Sequence, residues 1–167
     1  MSGWGDAMAI EKPSLRIGMF AALAALAVDQ GTKAMVVANA AALSPGVPVL
    51  PGFNLTFLRN DGVTFGLFGS APWWSLVVVA LGICIWLAVL MVRATSRVEA
   101  LAYGAIIGGA LGNIVDRLQY RAVTDFLDFY IESAHWPAFN MADVFVVGGV
   151  GLLLVAPWLA VQRQTGP

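Results

Sequence analysis

Residues 108–147 read GGALGNIVDRLQYRAVTDFLDFYIESAHWPAFNMADVFVV. Two apolar flanks enclose Asn113, Asp116, Arg117, Asp125, Asp128, Asn140 and Asp143. If the flanks cross a bilayer, each charged group near its centre costs roughly 2.5 to 3.5 kcal/mol. A chain that keeps several such groups needs a chemical reason for them.

The composition supports that membrane reading. Of 167 residues 59% are hydrophobic and only 11% charged, and the mean hydropathy of +0.80 lies above the soluble range. A formal net charge of -1 supplies no basic field, so nucleic acid is not an expected partner. Cys84 is the single cysteine and lies in an apolar run, which excludes an internal disulfide and a thiolate metal site.

Working outward, the pattern predicts four transmembrane helices. Leu15 to Ala38 is apolar apart from Asp29, Gln30, Thr32 and Lys33, and its length suits one crossing. Its basic flank and Ala25-Leu26-Ala27 also resemble a cleavable secretory signal, but apolar character resumes at Ala34, which favours a retained span. Pro72 to Val92 forms the second span, with Trp73 and Trp74 at an interfacial position. Ala100 to about Leu118 is the third, rich in small residues that permit close helix approach. Phe139 to Val161 is the fourth.

Between the first two spans, Phe53 to Leu58 alternates like a half-buried strand. Between the last two, Val123, Phe126, Leu127, Tyr130 and Ile131 recur at helical spacing, so Gln119 to Pro137 is expected to hold a short amphipathic helix at the interface. The expected fold class is an all-α integral membrane protein: four transmembrane helices, a small β-containing extracytoplasmic loop and a short interfacial helix. One domain over residues 15–163 is flanked by tails at 1–14 and 164–167.

Basic residues set the orientation. Lys12, Arg16, Arg93, Arg97 and Arg163 fall on one side, against Arg59 and Arg121 on the other, so both termini are expected in the cytoplasm. At 1.5 Å per residue, Asp29 lies roughly 20 Å from Arg16, and Asn113 about as far from Glu99. The polar residues of four stretches therefore converge toward the outer face. A proton-coupled transporter or channel subunit also uses intramembrane carboxylates, but it needs polar groups through the whole depth. The inner halves of these spans carry almost none. A structural protein that joins partners through small-residue faces would explain the glycines and leave the aspartates unexplained.

Five blocks sharpen the reading: Asp29-Gln30-x-x-Lys33, Asn60-x-Gly62-x-x-Phe65, Gly108-Gly109-Ala110-x-Gly112-Asn113-x-x-Asp116-Arg117, Val123-x-Asp125-Phe126 and Phe139-Asn140-x-Ala142-Asp143. In this order the chain resembles the lipoprotein signal peptidases, also called signal peptidase II. The resemblance implies an intramembrane aspartyl endopeptidase of the bacterial cytoplasmic membrane. Such an enzyme removes the signal peptide from diacylglyceryl-modified prolipoproteins by cleaving before the lipidated cysteine. It implies that Asp125 and Asp143 are catalytic, that Asn60, Gly62, Asn113, Arg117 and Asn140 contact substrate, and that Asp29, Lys33 and Asp116 support them.

Chemistry agrees with the implied pair, because two close carboxylates can share one proton and serve as base and acid to a water. No metal or other cofactor is expected. The partners are the lipid-modified prolipoprotein and membrane lipids, and a monomer suffices because all five blocks lie in one chain. Asp61 and Thr64 depart from the family pattern, which commonly has small or less polar residues there. Asp128 is read as a support, and His135, with no second histidine, as an interfacial side chain.

Overall fold

The computed structural model describes residues 13–62 and 72–165. Most of the expected N-terminal tail, the end of the C-terminal tail, and Thr64 and Phe65 of the second block lie outside the described residues. Among the described residues five helices and four strands follow in order: α1 (Pro13–Ala38), α2 (Ala40–Leu43), β1 (Val47–Leu50), β2 (Phe53–Asn60), α3 (Trp73–Arg93), α4 (Arg97–Tyr120), β3 (Val123–Ile131), β4 (Ala134–His135) and α5 (Met141–Thr165). Three of them, α1, α3 and α4, are long and apolar enough to cross a membrane, and α5 carries a shorter apolar run, Met141–Ala156.

Helix α4 is the axis of the bundle and packs on α1, α3 and α5. Ser96 starts it, its side chain accepting a hydrogen bond from Val98 N at 3.2 Å, and Glu99 sits in the first turn where the helix dipole favours negative charge. Arg121 ends it in the left-handed conformation, φ 59°, and its N–H closes on Arg117 O at 2.9 Å. Small residues determine how closely the neighbours come. A Cβ at Gly109 would collide with the Ala142 carbonyl oxygen of α5, and one at Gly112 with the Asp29 carboxylate of α1. Any larger side chain at either position would push apart the helices that carry the polar residues.

Apolar contacts fill the spaces between the helices: Leu87, Met91, Ile106 and Ile107 form one buried cluster, and Val77, Cys84 and Ile114 another. Large apolar side chains also cover the outside of the bundle. Phe20, Trp86 and Leu154 are 75%, 62% and 76% exposed. Such a surface suits contact with hydrocarbon, where every helical backbone group is satisfied internally.

Both loops on the Asp29 side of the bundle contribute to one antiparallel sheet, in the order β1-β2-β3-β4. The strand expected at Phe53 to Leu58 is β2. The short interfacial helix expected within Gln119 to Pro137 is overturned: this segment forms β3 and β4, so the fold is not all-α. Its β-branched and aromatic residues favour a pleated surface, and β2 offers a partner edge in the register Leu58↔Asp125 and Asn60↔Val123. Residues 123–126 are buried in succession. A strand covered on both faces loses simple alternation, and its apolar positions can then coincide with helical spacing.

Candidate active site

Asp125 and Asp143 reach the site from different elements, one from the early part of β3 and the other from the first turn of α5. Asn140, fully buried, joins them. Its side-chain Oδ1 accepts from Asp143 N at 3.2 Å while its own backbone N donates to Asp143 Oδ2 at 3.2 Å, the reciprocal pattern of a capping box at the start of α5. Its Nδ2 donates to Asp125 Oδ1 at 2.7 Å and to Asn113 Oδ1 at 3.2 Å. One side chain therefore starts the helix that carries one aspartate and holds the carboxylate of the other.

Two further amides complete the frame. Asn60, at the end of β2, donates from Nδ2 to Asp125 Oδ2 at 2.8 Å and accepts from Gly62 N at 2.9 Å. Gly62 adopts φ +92°, a turn conformation that L side chains rarely take. Asn113 of α4 donates from Nδ2 to Asp143 Oδ1 at 2.9 Å. Arg117, one turn further along α4, donates from a terminal guanidinium nitrogen to Asn113 O at 3.3 Å, and its charge acts on Asp143, Asp125 and Asp116.

Burial pushes the Asp125 carboxyl up to about 6. The hydrogen bonds from Asn60 and Asn140 and the charge of Lys33 oppose that rise, and the neighbouring charge of Asp143 adds to it.

Beneath this frame lies a second cluster, more deeply buried. Lys33 Nζ stands 2.9 Å from Asp29 Oδ2 and 3.4 Å from Asp116 Oδ2, with Asp29 0%, Lys33 3% and Asp116 2% exposed. Lys33 also donates to Asn113 Oδ1 at 2.9 Å. Gln30 Nε2 reaches Asp29 Oδ2, Asp116 Oδ1 and the Gly112 carbonyl at 3.1 to 3.3 Å. Asp29 Oδ1 accepts from Ala142 N at 2.8 Å, and Asp116 Oδ2 accepts from Thr124 N at 2.7 Å.

All ten candidate residues named from the sequence thus lie in one network or next to it. Sequence reasoning missed the part played by Gln30, although it stands inside the first block. It also missed Arg59, which donates to Thr124 Oγ1 at 2.7 Å and lies 3.8 Å over the Tyr120 ring. Asp128 points elsewhere: its carboxylate accepts from Asn54 Nδ2 at 3.0 Å and meets His135 Nδ1 at 2.7 Å. His135 therefore has a partner that its isolation in the sequence did not suggest. Among the described residues no group of three His, Cys, Asp or Glu side chains is arranged to hold a metal ion.

An apolar groove of about 550 Å³ opens beside Asp143, lined by Trp136, Phe139, Val144, Val147 and Gly148. The arrangement offers two carboxylates to a water or carbonyl, amide donors around them, and an apolar surface alongside.

Comparison with known proteins identifies the family. The family model for signal peptidase (SPase) II matches residues 21–159. Curated lipoprotein signal peptidases from Yersinia pestis (strain Pestoides F) and Yersinia pseudotuberculosis serotype O:3 (strain YPIII) are each 40% identical over 159 residues, covering 90% of this chain and 94% of theirs. Two solved structures of bacterial membrane enzymes are also similar. One, at 28% identity, has a TM-score of 0.74 and covers 85% of this chain and 92% of its own. The other, at 26% identity, has a TM-score of 0.75 and covers 92% and 94%. The chain belongs to the signal peptidase II family.

Proposed function

We propose that this protein is an intramembrane aspartyl endopeptidase that removes the signal peptide from diacylglyceryl-modified prolipoproteins, cutting before the lipidated cysteine. The observation that carries the reading is Asn140, which binds Asp125 through its side chain and caps the helix turn that presents Asp143. Asp125 and Asp143 are the catalytic pair. Asn60, Gly62, Asn113, Arg117 and Asn140 contact substrate, and Asp29, Lys33 and Asp116 support them.

Asp143 takes the role of base, its carboxylate held in place by the Asn113 donor. Asp125, whose carboxyl burial raises, carries the proton. A water between them gives a proton to Asp143 while its oxygen attacks the scissile carbonyl carbon, and Asp125 donates to the carbonyl oxygen. Collapse of the tetrahedral intermediate breaks the C–N bond. The leaving nitrogen takes the proton held by Asp143, and the hydroxyl returns one to Asp125. Neither side chain becomes covalently attached to substrate.

The signal peptide enters as an apolar helix and unwinds near the cut, with its apolar side chains against the groove beside Asp143. The diacylglyceryl chains stay in lipid. Four spans form a single domain over residues 15–163, with tails at 1–14 and 164–167. Both termini face the cytoplasm, the site lies toward the outer leaflet of the bacterial cytoplasmic membrane, and one chain suffices. No cofactor takes part.

Purified protein given matched prolipoproteins with and without the diacylglyceryl group tests this function. It should cut the modified one immediately before the cysteine and leave the other intact. Cleavage elsewhere, or no cleavage of the modified substrate, contradicts it.

A further inference from the structure

The two aspartates are held in matching ways. The residue immediately before Asp143 is Ala142, whose N–H is held by the Asp29 carboxylate at 2.8 Å. The residue immediately before Asp125 is Thr124, whose N–H is held by the Asp116 carboxylate at 2.7 Å. These are long-range ties, α1 to α5 and α4 to β3, and Lys33 lies between both carboxylates.

Lys33 does a second thing. An asparagine amide can present either its oxygen or its nitrogen to a neighbour, and the partners decide which. Lys33 Nζ is a donor with no acceptor, so the Asn113 atom that faces it at 2.9 Å must be oxygen. Asn140 Nδ2 reaches the same oxygen. The Asn113 NH2 is then directed to Asp143, where it donates to Oδ1 at 2.9 Å.

We infer that Lys33 is a positioning residue for both catalytic aspartates: it ties together the carboxylates that hold the backbone before each, and through Asn113 it fixes the hydrogen bond that orients the Asp143 carboxylate. Lys33 touches no substrate in this arrangement. The inference rests on the reading of Asp125 and Asp143 as the catalytic pair. A lysine that merely stabilised the fold would leave the placement of that pair unchanged, and with it kcat and the pH dependence of turnover, whereas a positioning lysine changes both.

Lys33→Met alone leaves Asp29 and Asp116 buried without their cation. The deciding variant is therefore the double substitution Lys33→Met with Asp29→Asn. It keeps the formal charge of the Asp29, Lys33 and Asp116 cluster at one negative, and Asp29→Asn still offers an oxygen to Ala142 N. The full chain, in lipid, is assayed on the diacylglyceryl-modified prolipoprotein across a pH series, beside the unmutated protein and Asp143→Asn.

The double variant should fold and keep its KM within about twofold, while kcat falls about ten- to a hundredfold, the scale of a misplaced reacting group. The alkaline limb of its pH profile should move to higher pH, because the charge of Lys33 lowers the Asp125 carboxyl. A folded double variant with unchanged kcat and a superimposable pH profile overturns the inference. So does a double variant that does not fold, which assigns the cluster to stability alone. If the unmutated chain does not cut, the proposed function fails. If Asp143→Asn cuts normally, the catalytic pair fails. Either result is distinct from a failure of the Lys33 assignment.

Discussion

Two carboxylate pairs lie side by side in this protein and are treated differently. Asp29 and Asp116 share a lysine, accept backbone N–H groups, and are 0% and 2% exposed. Asp125 and Asp143 are met by amides: Asn60 and Asn140 at the first, Asn113 at the second. Lys33 ties α1 to α4 through the first pair. The amides hold the geometry of the second pair without a salt bridge. In the proposed reading the first pair braces the elements around the site, and the second pair, in direct contact with amides, does the acid and base chemistry.

That contrast breaks most visibly where the cation is removed. Lys33→Met strands two buried carboxylates, and breaking a buried ion pair by removing one partner costs about 3 to 5 kcal/mol. Thermal unfolding should fall accordingly, and a variant as stable as the parent would mean that the cluster contributes nothing to folding.

The next effect belongs to the amide-held pair and depends on pH. The Asp125 carboxyl stands at about 6 in the folded chain against an ordinary 3.8, so between those values the folded state binds more protons than the unfolded state. Stability therefore falls as pH rises from about 4 to about 6 and levels off above, a loss on the order of 2 to 3 kcal/mol. Asp125→Asn should remove most of that slope in a series of thermal melts. Parallel slopes for variant and parent would place the raised carboxyl elsewhere.

The smallest effect is expected at the rim. His135 meets Asp128 at 2.7 Å but is half exposed, and exposed ion pairs contribute about 0 to 1 kcal/mol. Hydrogen bonds from His135 and Asn54 outweigh partial burial and hold the Asp128 carboxyl below its usual value. His135→Ala should leave cleavage within about twofold, a margin of about 0.4 kcal/mol in barrier height. A large loss of activity would bring the Asp128 pair into the site.

Much of the helical scaffold was legible because crossing a bilayer demands length and apolarity, both of which α1, α3 and α4 display. Strand β2 showed itself by alternation. Strand β3 did not, because its first residues are buried in succession and its apolar spacing imitates a helix. The candidate residues were legible as blocks, yet the ties between them were not: Asp29 meets Ala142 N across 113 positions of sequence, and Asp116 reaches Thr124 N through a turn whose shape depends on Arg121 at positive φ. Backbone donors have no side-chain letter, so a string of residues cannot display them.

The central claim is that Asp125 and Asp143 act together as the catalytic pair, and replacing each by asparagine tests it most directly. Asparagine keeps the volume and one acceptor oxygen but cannot exchange the proton. Cleavage of a diacylglyceryl-modified prolipoprotein is measured with purified Asp125→Asn and Asp143→Asn, each shown by thermal melt to be folded. The account predicts that neither variant cuts, with kcat reduced at least about a thousandfold, the scale of losing an essential acid or base. Processing at the normal rate by either folded variant would contradict it.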